Sequence, residues 1–161
     1  MVEVLRLDKL SCASLSEQAK REICSWQYTG EYAIYNLPSY DDMKAFQRGF
    51  MNPAAENQYY GFWDCDVLVG YVKLVECEDC VSVGIGVSPN LCGKHYGRQI
   101  MLDIYDISKK LYPDKSLSLE VRTWNKRAIK CYEKAGFRID GQAYELTTGI
   151  GIGTFYRMIK E

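Results

Sequence analysis

Residues 92–98 have the composition of a loop that binds an anion at the start of a helix. The segment contains two glycines, a lysine, a histidine and an arginine, and it follows an apolar run over residues 81–87. An amphipathic stretch to Leu111 comes next, and Pro113 stops it. The order predicts strand, turn and helix, in which the first-turn N–H groups and the positive end of the helix dipole point to one place. We therefore predict a site for a phosphate-bearing ligand.

Residues 119–137 form a second segment with side chains suited to chemistry. Glu120 and Arg122 alternate with apolar residues on a predicted strand over residues 117–123. Asn125 stands where it can cap a predicted helix, and Gly136 stands where that helix would end.

Both segments resemble the GNAT superfamily of acyl-CoA-dependent N-acyltransferases. In the first motif of that family, Gln/Arg-x-x-Gly-x-Gly/Ala opens a helix. Gly97 matches the last position, Cys92 stands in place of Gln/Arg, and His95 stands in place of the first Gly. Residues 119–137 match the second pattern more fully, with a strand, Asn, Ala and then Tyr-Glu-x-x-Gly-Phe. The strand with Glu120, followed by Tyr132, is most similar to the protein N-terminal alanine acetyltransferases.

The resemblance implies that acetyl-CoA binds as the co-substrate and that no metal takes part. The end of the 81–87 strand would pair with the pantetheine arm, and its last residues would polarise the thioester carbonyl. The amides of residues 93–98 would hold the pyrophosphate, while the histidine there either touches the donor or points to solvent. The donor-binding residues implied are Ile85, Gly86, Val87, Gly93, Lys94, His95, Tyr96, Gly97, Arg98 and Asn125.

The resemblance also implies two catalytic residues. Glu120 takes the place of a general base, which an alkylamine of pKa ~10 needs before it can attack. The alternatives are a strand carboxylate paired with a cation such as Arg122, or a base role for Glu76 or Glu78. Tyr132 takes the place of the acid that protonates the departing thiolate, and the alternative is a tyrosine packed on the sheet.

An aromatic segment over residues 26–40 is open to two interpretations. In the family this region shapes the acceptor pocket, and Tyr28, Glu31, Tyr32 and Tyr35 would suit a cationic amine. Equally, the rings would serve to bury the first two helices against the sheet.

The predicted elements follow the order β-α-α-β-β-β-α-β-α-β-β. A strand over residues 2–7 precedes helices over residues 16–26 and from Ser39 or Asp41 to about residue 52. Strands over residues 59–63 and 67–75 form a hairpin, and two strands, about 137–146 and 153–159, close the chain. We predict one α/β domain over residues 1–161, with a mixed, mostly antiparallel sheet flanked by helices. The sheet should open between the 81–87 and 117–123 strands.

Composition excludes several classes of function. The formal net charge is −1, from 20 basic and 21 acidic residues, and this argues against nucleic-acid binding. No apolar run approaches the ~18 residues of a membrane span. Seven cysteines without framework spacing indicate reduced thiols and a cytoplasmic protein.

Two further motifs favour ordinary turns. Cys77 and Cys80 have C-x-x-C spacing, but no second ligand pair follows, so an acidic hairpin turn is the better interpretation. The glycine-rich segment 149–153 lies between strands and does not open a helix, so it fails as a dinucleotide motif.

The function predicted from sequence is acetyl transfer to a primary amine, on a small molecule or a protein N-terminus, by a monomer or homodimer. One alternative is another acyl-CoA acting on a polyamine, amino sugar or amino acid. The other is a non-catalytic acyl-CoA sensor.

Overall fold

A computed structural model describes residues 10–161. Its α-helices are α1 (Glu17–Ser25), α2 (Tyr40–Ala45), α3 (Tyr96–Leu111) and α4 (Lys126–Lys134). Its strands are β1 (Ser11–Ser14), β2 (Tyr59–Asp64), β3 (Val67–Glu76), β4 (Cys80–Val87), β5 (Ser116–Arg122), β6 (Arg138–Ile139), β7 (Tyr144–Thr148) and β8 (Gly151–Lys160). Short 3₁₀ helices cover Gly30–Tyr35, Gly49–Met51, Glu56–Gln58 and Pro89–Leu91.

The eight strands form one sheet in the order β1-β2-β3-β4-β5-β8-β6, and β7 also pairs with β8. The pairs β1/β2, β2/β3, β5/β8, β6/β8 and β7/β8 are antiparallel. Strands β4 and β5 are parallel, with Cys80 opposite Ser116 and Ser82 opposite Ser118. This register covers the first three residues of each strand. The predicted class, a mixed and mostly antiparallel sheet flanked by helices, is confirmed.

The chain divides into two compact units. Unit 1 contains, of the described residues, 10–73 and 85–96, and unit 2 contains residues 74–84 and 97–161. The core of unit 1 is formed by Ala19, Ile23, Cys24, Trp26, Met43, Phe50, Tyr59 and Leu68. Helix α1 contributes to this core because Ala19, Ile23 and Cys24 recur at helical spacing.

The buried residues of unit 2 come from its strands and from α3. In α3 the buried positions Ile100, Met101, Ile104 and Ser108 follow a helical period, which gives the helix one apolar side. In β5 the alternating Leu117, Leu119 and Val121 are buried, whereas Glu120 is exposed. Glu120 therefore points to the opposite face of the strand from this core.

Most predicted elements are confirmed, with some differences. The predicted strand over about residues 137–146 is instead two strands, β6 and β7, because the backbone turns between them at Gly141 (φ +81°). Helix α2 ends at Ala45, earlier than predicted, because Gln47 and Gly49 adopt left-handed backbone angles (φ 49° and 54°). The 3₁₀ helix Gly30–Tyr35 and strand β1 were not predicted. The predicted strand over residues 2–7 lies outside the described residues.

Candidate functional site

The last residues of β4 are fixed by contacts within unit 1. The Tyr28 hydroxyl donates to the Val87 carbonyl oxygen at 2.7 Å. The next amide, that of Ser88, donates to the Val69 carbonyl on β3 at 2.9 Å. These two bonds hold the end of β4 in one place.

Gly86 is required by the ring of Tyr71. A Cβ atom at Gly86 would lie 2.4 Å from Tyr71 Cε1, far inside a normal contact distance. The Tyr71 ring packs edge-on against Phe50, with 6.1 Å between the centroids, and near Trp26 at the same distance. Burial raises the pKa of the Tyr71 phenol. The glycine thus brings the β4 backbone close to a packed aromatic cluster.

The turn before α3 contains two residues in the left-handed region. Gly93 has φ +82° and His95 has φ +69°, and a non-glycine residue rarely adopts this angle. His95 stands where the family motif has glycine, and it adopts a left-handed backbone angle that glycine favours. Its side chain is exposed, as are Gly93 and Lys94.

Helix α3 begins at Tyr96, so its first-turn N–H groups have no acceptor within the helix. The amide of Lys94 already donates to the Leu91 carbonyl at 3.3 Å. The geometry of α3 points the N–H groups from residue 96 onward in a common direction. These are therefore the predicted anion-binding amides that can act on one ligand.

The start of α3 is attached to the end of β2. The Tyr96 hydroxyl donates to Asp64 Oδ2 at 2.6 Å, and this bond raises the pKa of Tyr96. The contact fixes the helix start, and sequence spacing gave no sign of it.

Glu120 has a partner that the sequence did not predict. The Tyr144 hydroxyl on β7 donates to Glu120 Oε2 at 2.7 Å. Burial, followed by this hydrogen bond, raises the pKa of Tyr144 to about 12. The cation suggested by the sequence, Arg122, instead lies over the Phe155 ring at 4.8 Å.

Asn125 caps α4 as predicted. Its side-chain oxygen accepts from the Ala128 amide at 3.1 Å, and the residue is buried. Within α4, Tyr132 is half-buried and its ring centroid lies 6.4 Å from that of Phe137. Burial raises the pKa of the neighbouring Cys131 thiol, which agrees with a packing role.

The alternative bases lie at the turn that precedes β4. Glu76 forms an ion pair with Lys115 at 2.8 Å, and Glu78 is exposed on the turn. Across the same turn the Cys77 amide donates to the Cys80 carbonyl at 2.8 Å, as expected for a hairpin. Within residues 10–161, no three or more His, Cys, Asp or Glu side chains cluster in a way that could hold a metal ion.

The aromatic segment over residues 26–40 fits each interpretation in part, since some of its residues are buried in the core and others are exposed. Trp26 is buried in the core of unit 1, whereas the 3₁₀ helix Gly30–Tyr35 has no buried residue. Tyr28 is half-buried and fixes β4, as described above. The amide of Tyr28 also donates to Asn36 Oδ1 at 2.6 Å, which closes this loop on itself.

The predicted site residues are shared between the units. Unit 1 contains Ile85, Gly86, Val87, Gly93, Lys94, His95 and Tyr96, and unit 2 contains Gly97, Arg98, Glu120, Asn125 and Tyr132. Sequence reasoning missed Asp64, Tyr71 and Tyr144, which contact them. These partners lie on β2, β3 and β7, and sequence spacing does not identify them.

Comparison with known proteins relates the chain to one family. The sequence model of the acetyltransferase (GNAT) family matches residues 20–137. The uncharacterized N-acetyltransferase YvbK of Bacillus subtilis (strain 168) is 37% identical over 84 residues, which are 50% of this chain and 52% of the relative. The chain therefore spans about half the length of the curated relative that it matches.

Solved structures share the fold over nearly the whole chain. An acetyltransferase (GNAT family) from Bacillus anthracis has a TM-score of 0.77 at 13% identity, covering 95% of each chain. Spermidine N-acetyltransferase from Vibrio cholerae, in complex with CoA and spermine, has a TM-score of 0.68 at 20% identity, covering 94% of this chain and 95% of the other. The ribosomal-protein-S18-alanine N-acetyltransferase from Escherichia coli has a TM-score of 0.63 at 19% identity, covering 93% and 92%.

Proposed function

Because the chain belongs to the acetyltransferase (GNAT) family, we propose that it transfers an acetyl group from acetyl-CoA to a primary amine by direct attack in a ternary complex. The main support is the family match, which includes β4, the start of α3, β5 and α4. The matched residues include every residue that we assign to the reaction.

The donor is bound by backbone more than by side chains in this proposal. Ile85, Gly86 and Val87 pair with the pantetheine amides, and the Val87 region polarises the thioester carbonyl. The first-turn amides of α3, with Lys94 and Arg98 beside them, hold the pyrophosphate. Since backbone N–H groups are present whatever the side chain, the departures at Cys92 and His95 are compatible with this role.

Glu120 is the general base in this proposal. The paired part of β4 and β5 ends at Ser82 and Ser118, and Glu120 lies two residues beyond it on β5. The rival acids lie on the turn before Cys80, separated from Ile85 by about 17 Å of extended strand.

The reaction proceeds by attack, addition and expulsion. Glu120 accepts a proton from the ammonium, directly or through water, and the amine nitrogen then bonds to the thioester carbon. Collapse of the tetrahedral intermediate breaks the C–S bond, the amine nitrogen releases its second proton to solvent, and the thiolate takes a proton from Tyr132. The products are an N-acetyl amine and CoA, and solvent returns the proton from Glu120 to Tyr132.

The acceptor is proposed as a class, namely a primary amine on a small molecule or a protein N-terminus. The solved structures that share the fold include enzymes named for spermidine and for a ribosomal protein alanine. All seven cysteines are free thiols, which supports a cytoplasmic location. Among the helices within residues 10–161, none has the length and apolar character to cross a bilayer.

The experiment is a screen of the full chain with acetyl-CoA against polyamines, amino sugars, amino acids and N-terminal peptides. Free thiol release and the mass of the acetylated product are measured together. Tyr132→Phe should reduce kcat by ~100-fold or more, while the Kd for acetyl-CoA stays unchanged. Tyr105→Phe is the matched control, since it also removes one hydroxyl, which contacts the Glu161 carbonyl.

Two results would contradict the proposal. If acetyl-CoA binds but no amine is acetylated, the chain is an acyl-CoA-binding protein without transferase activity. If Tyr132→Phe retains full turnover, another group protonates the thiolate.

A further inference from the structure

Several polar side chains lie near Glu120 on one face of the neighbouring strands β5, β8 and β7. Directly opposite residues of an antiparallel pair share a face, and so do residues two apart on one strand. Glu120 is opposite Arg157, and Tyr144 is opposite Phe155. Glu120, Tyr144, Phe155 and Arg157 therefore lie on one face, with β8 between the first two.

Tyr144 reaches across β8 to make its contact. Its hydroxyl donates to Glu120 Oε2 at 2.7 Å, which is a normal length for an O–H···O bond. Because its pKa is raised to about 12, the phenol keeps its proton at neutral pH and remains a donor.

The cations on this face have other partners. Arg157 Nη1 lies 3.6 Å from Asp140 Oδ2, and Asp140 also faces Arg138 at 3.9 Å. Arg122, from β5 itself, is stacked on Phe155. The hydrogen bond to the Glu120 carboxylate thus comes from a neutral phenol, while the arginines contact Asp140 and an aromatic ring.

We propose that Tyr144 is a positioning residue for the candidate base, holding Glu120 Oε2 so that Oε1 accepts the proton of the acceptor amine. This inference rests on the proposed function. The resemblance assigns no role to residue 144, and the observation behind the inference is the Tyr144–Glu120 contact. A phenol donor fixes the rotamer of the carboxylate, and a fixed orientation helps a general base.

The test compares Tyr144→Phe with the wild type, using Tyr105→Phe as the matched control. The Glu120 side-chain carboxyl is followed by 13C NMR at neutral pH, and Glu120→Gln identifies its signal. Removing the donor should change the chemical shift of that signal, because the carboxylate loses the hydrogen bond from Tyr144. Tyr105→Phe should leave the signal in place.

Kinetics provide the second measurement. In Tyr144→Phe, kcat at neutral pH should fall roughly 3- to 10-fold. The Kd for acetyl-CoA should not change. In a Glu120→Gln background, adding Tyr144→Phe should cause no further loss, because the two residues act through one carboxylate.

The outcomes separate this inference from the proposed function. If the wild type transfers acetyl groups but the Glu120 NMR signal does not move in Tyr144→Phe, the inference is wrong and the function stands. A further fall in kcat when Tyr144→Phe is added to Glu120→Gln indicates a structural role and also overturns it. If the signal moves but no amine is acetylated by the wild type, the function fails, and the positioning role fails with it.

Discussion

At the scale of single residues, Gly86 is a position with no room for a side chain. Replacing it with alanine places a methyl group 2.4 Å from the Tyr71 ring, so either the strand or the aromatic cluster must move. We expect Gly86→Ala to lower the free energy of unfolding by about 1–3 kcal/mol, measured by urea denaturation. Gly84→Ala is the matched control, because nothing lies within 4 Å of a Cβ there. Equal stability of the two variants would contradict the packing argument.

Tyr144 also leads to a prediction at alkaline pH. Its pKa is raised to about 12 in the folded chain, above the value of 10.0 for a free tyrosine. The unfolded state therefore loses this proton first, so Tyr144 adds stability below pH 10 and this contribution is lost as the pH rises through 12. In Tyr144→Phe the free energy of unfolding should fall less steeply between pH 10 and 12. Denaturant titrations across that range measure the difference, and identical slopes would oppose it.

At the scale of elements, Tyr28 connects the aromatic loop to the end of β4. Tyr28→Phe leaves the Val87 carbonyl without this donor, which costs about 1 kcal/mol for a typical hydrogen bond. We expect faster amide hydrogen exchange in residues 85–88 of the variant. Tyr105→Phe should leave exchange in these residues unchanged. Protection equal to the wild type in Tyr28→Phe would show that other contacts fix the strand end.

Local signals predicted most elements. Ser16, Ser39 and Asn125 cap helices because each supplies an oxygen to an amide three residues on. Strand β1 gave no signal, since its four residues are small, exposed and paired through their backbone. The 3₁₀ helix Gly30–Tyr35 lacked one too, because it buries no residue.

The site residues also divide into those that a sequence pattern indicates and those that it does not. Glu120 and Tyr132 were named through a family pattern, whereas the Tyr144–Glu120 contact joins residues 24 positions apart. Such a contact depends on the register of three strands, and a single sequence does not specify that register.

At the scale of the whole molecule, β3, β4 and α3 each run from one unit into the other. The prediction of a single domain therefore implies one cooperative unfolding transition. Trp26 and Trp63 belong to unit 1 and Trp124 to unit 2. Trp124→Phe leaves only the tryptophans of unit 1, and the double variant Trp26→Phe/Trp63→Phe leaves only Trp124. In each variant, the unfolding midpoint measured by tryptophan fluorescence should equal the midpoint measured by circular dichroism. Separate midpoints within one variant would indicate two domains.

The ion pairs of Lys20 affect how readily acetyl-CoA could acetylate this lysine of the chain itself. The Lys20 ammonium is 2% exposed and lies 2.5 Å from Glu56 and 3.2 Å from Glu17. Burial lowers its pKa, but the hydrogen bonds to both carboxylates outweigh this, so the pKa is raised overall. A protonated, enclosed amine is a poor nucleophile. In a preparation left with acetyl-CoA, peptide mass mapping should find self-acetylation on exposed lysines such as Lys126 and Lys130 well before Lys20.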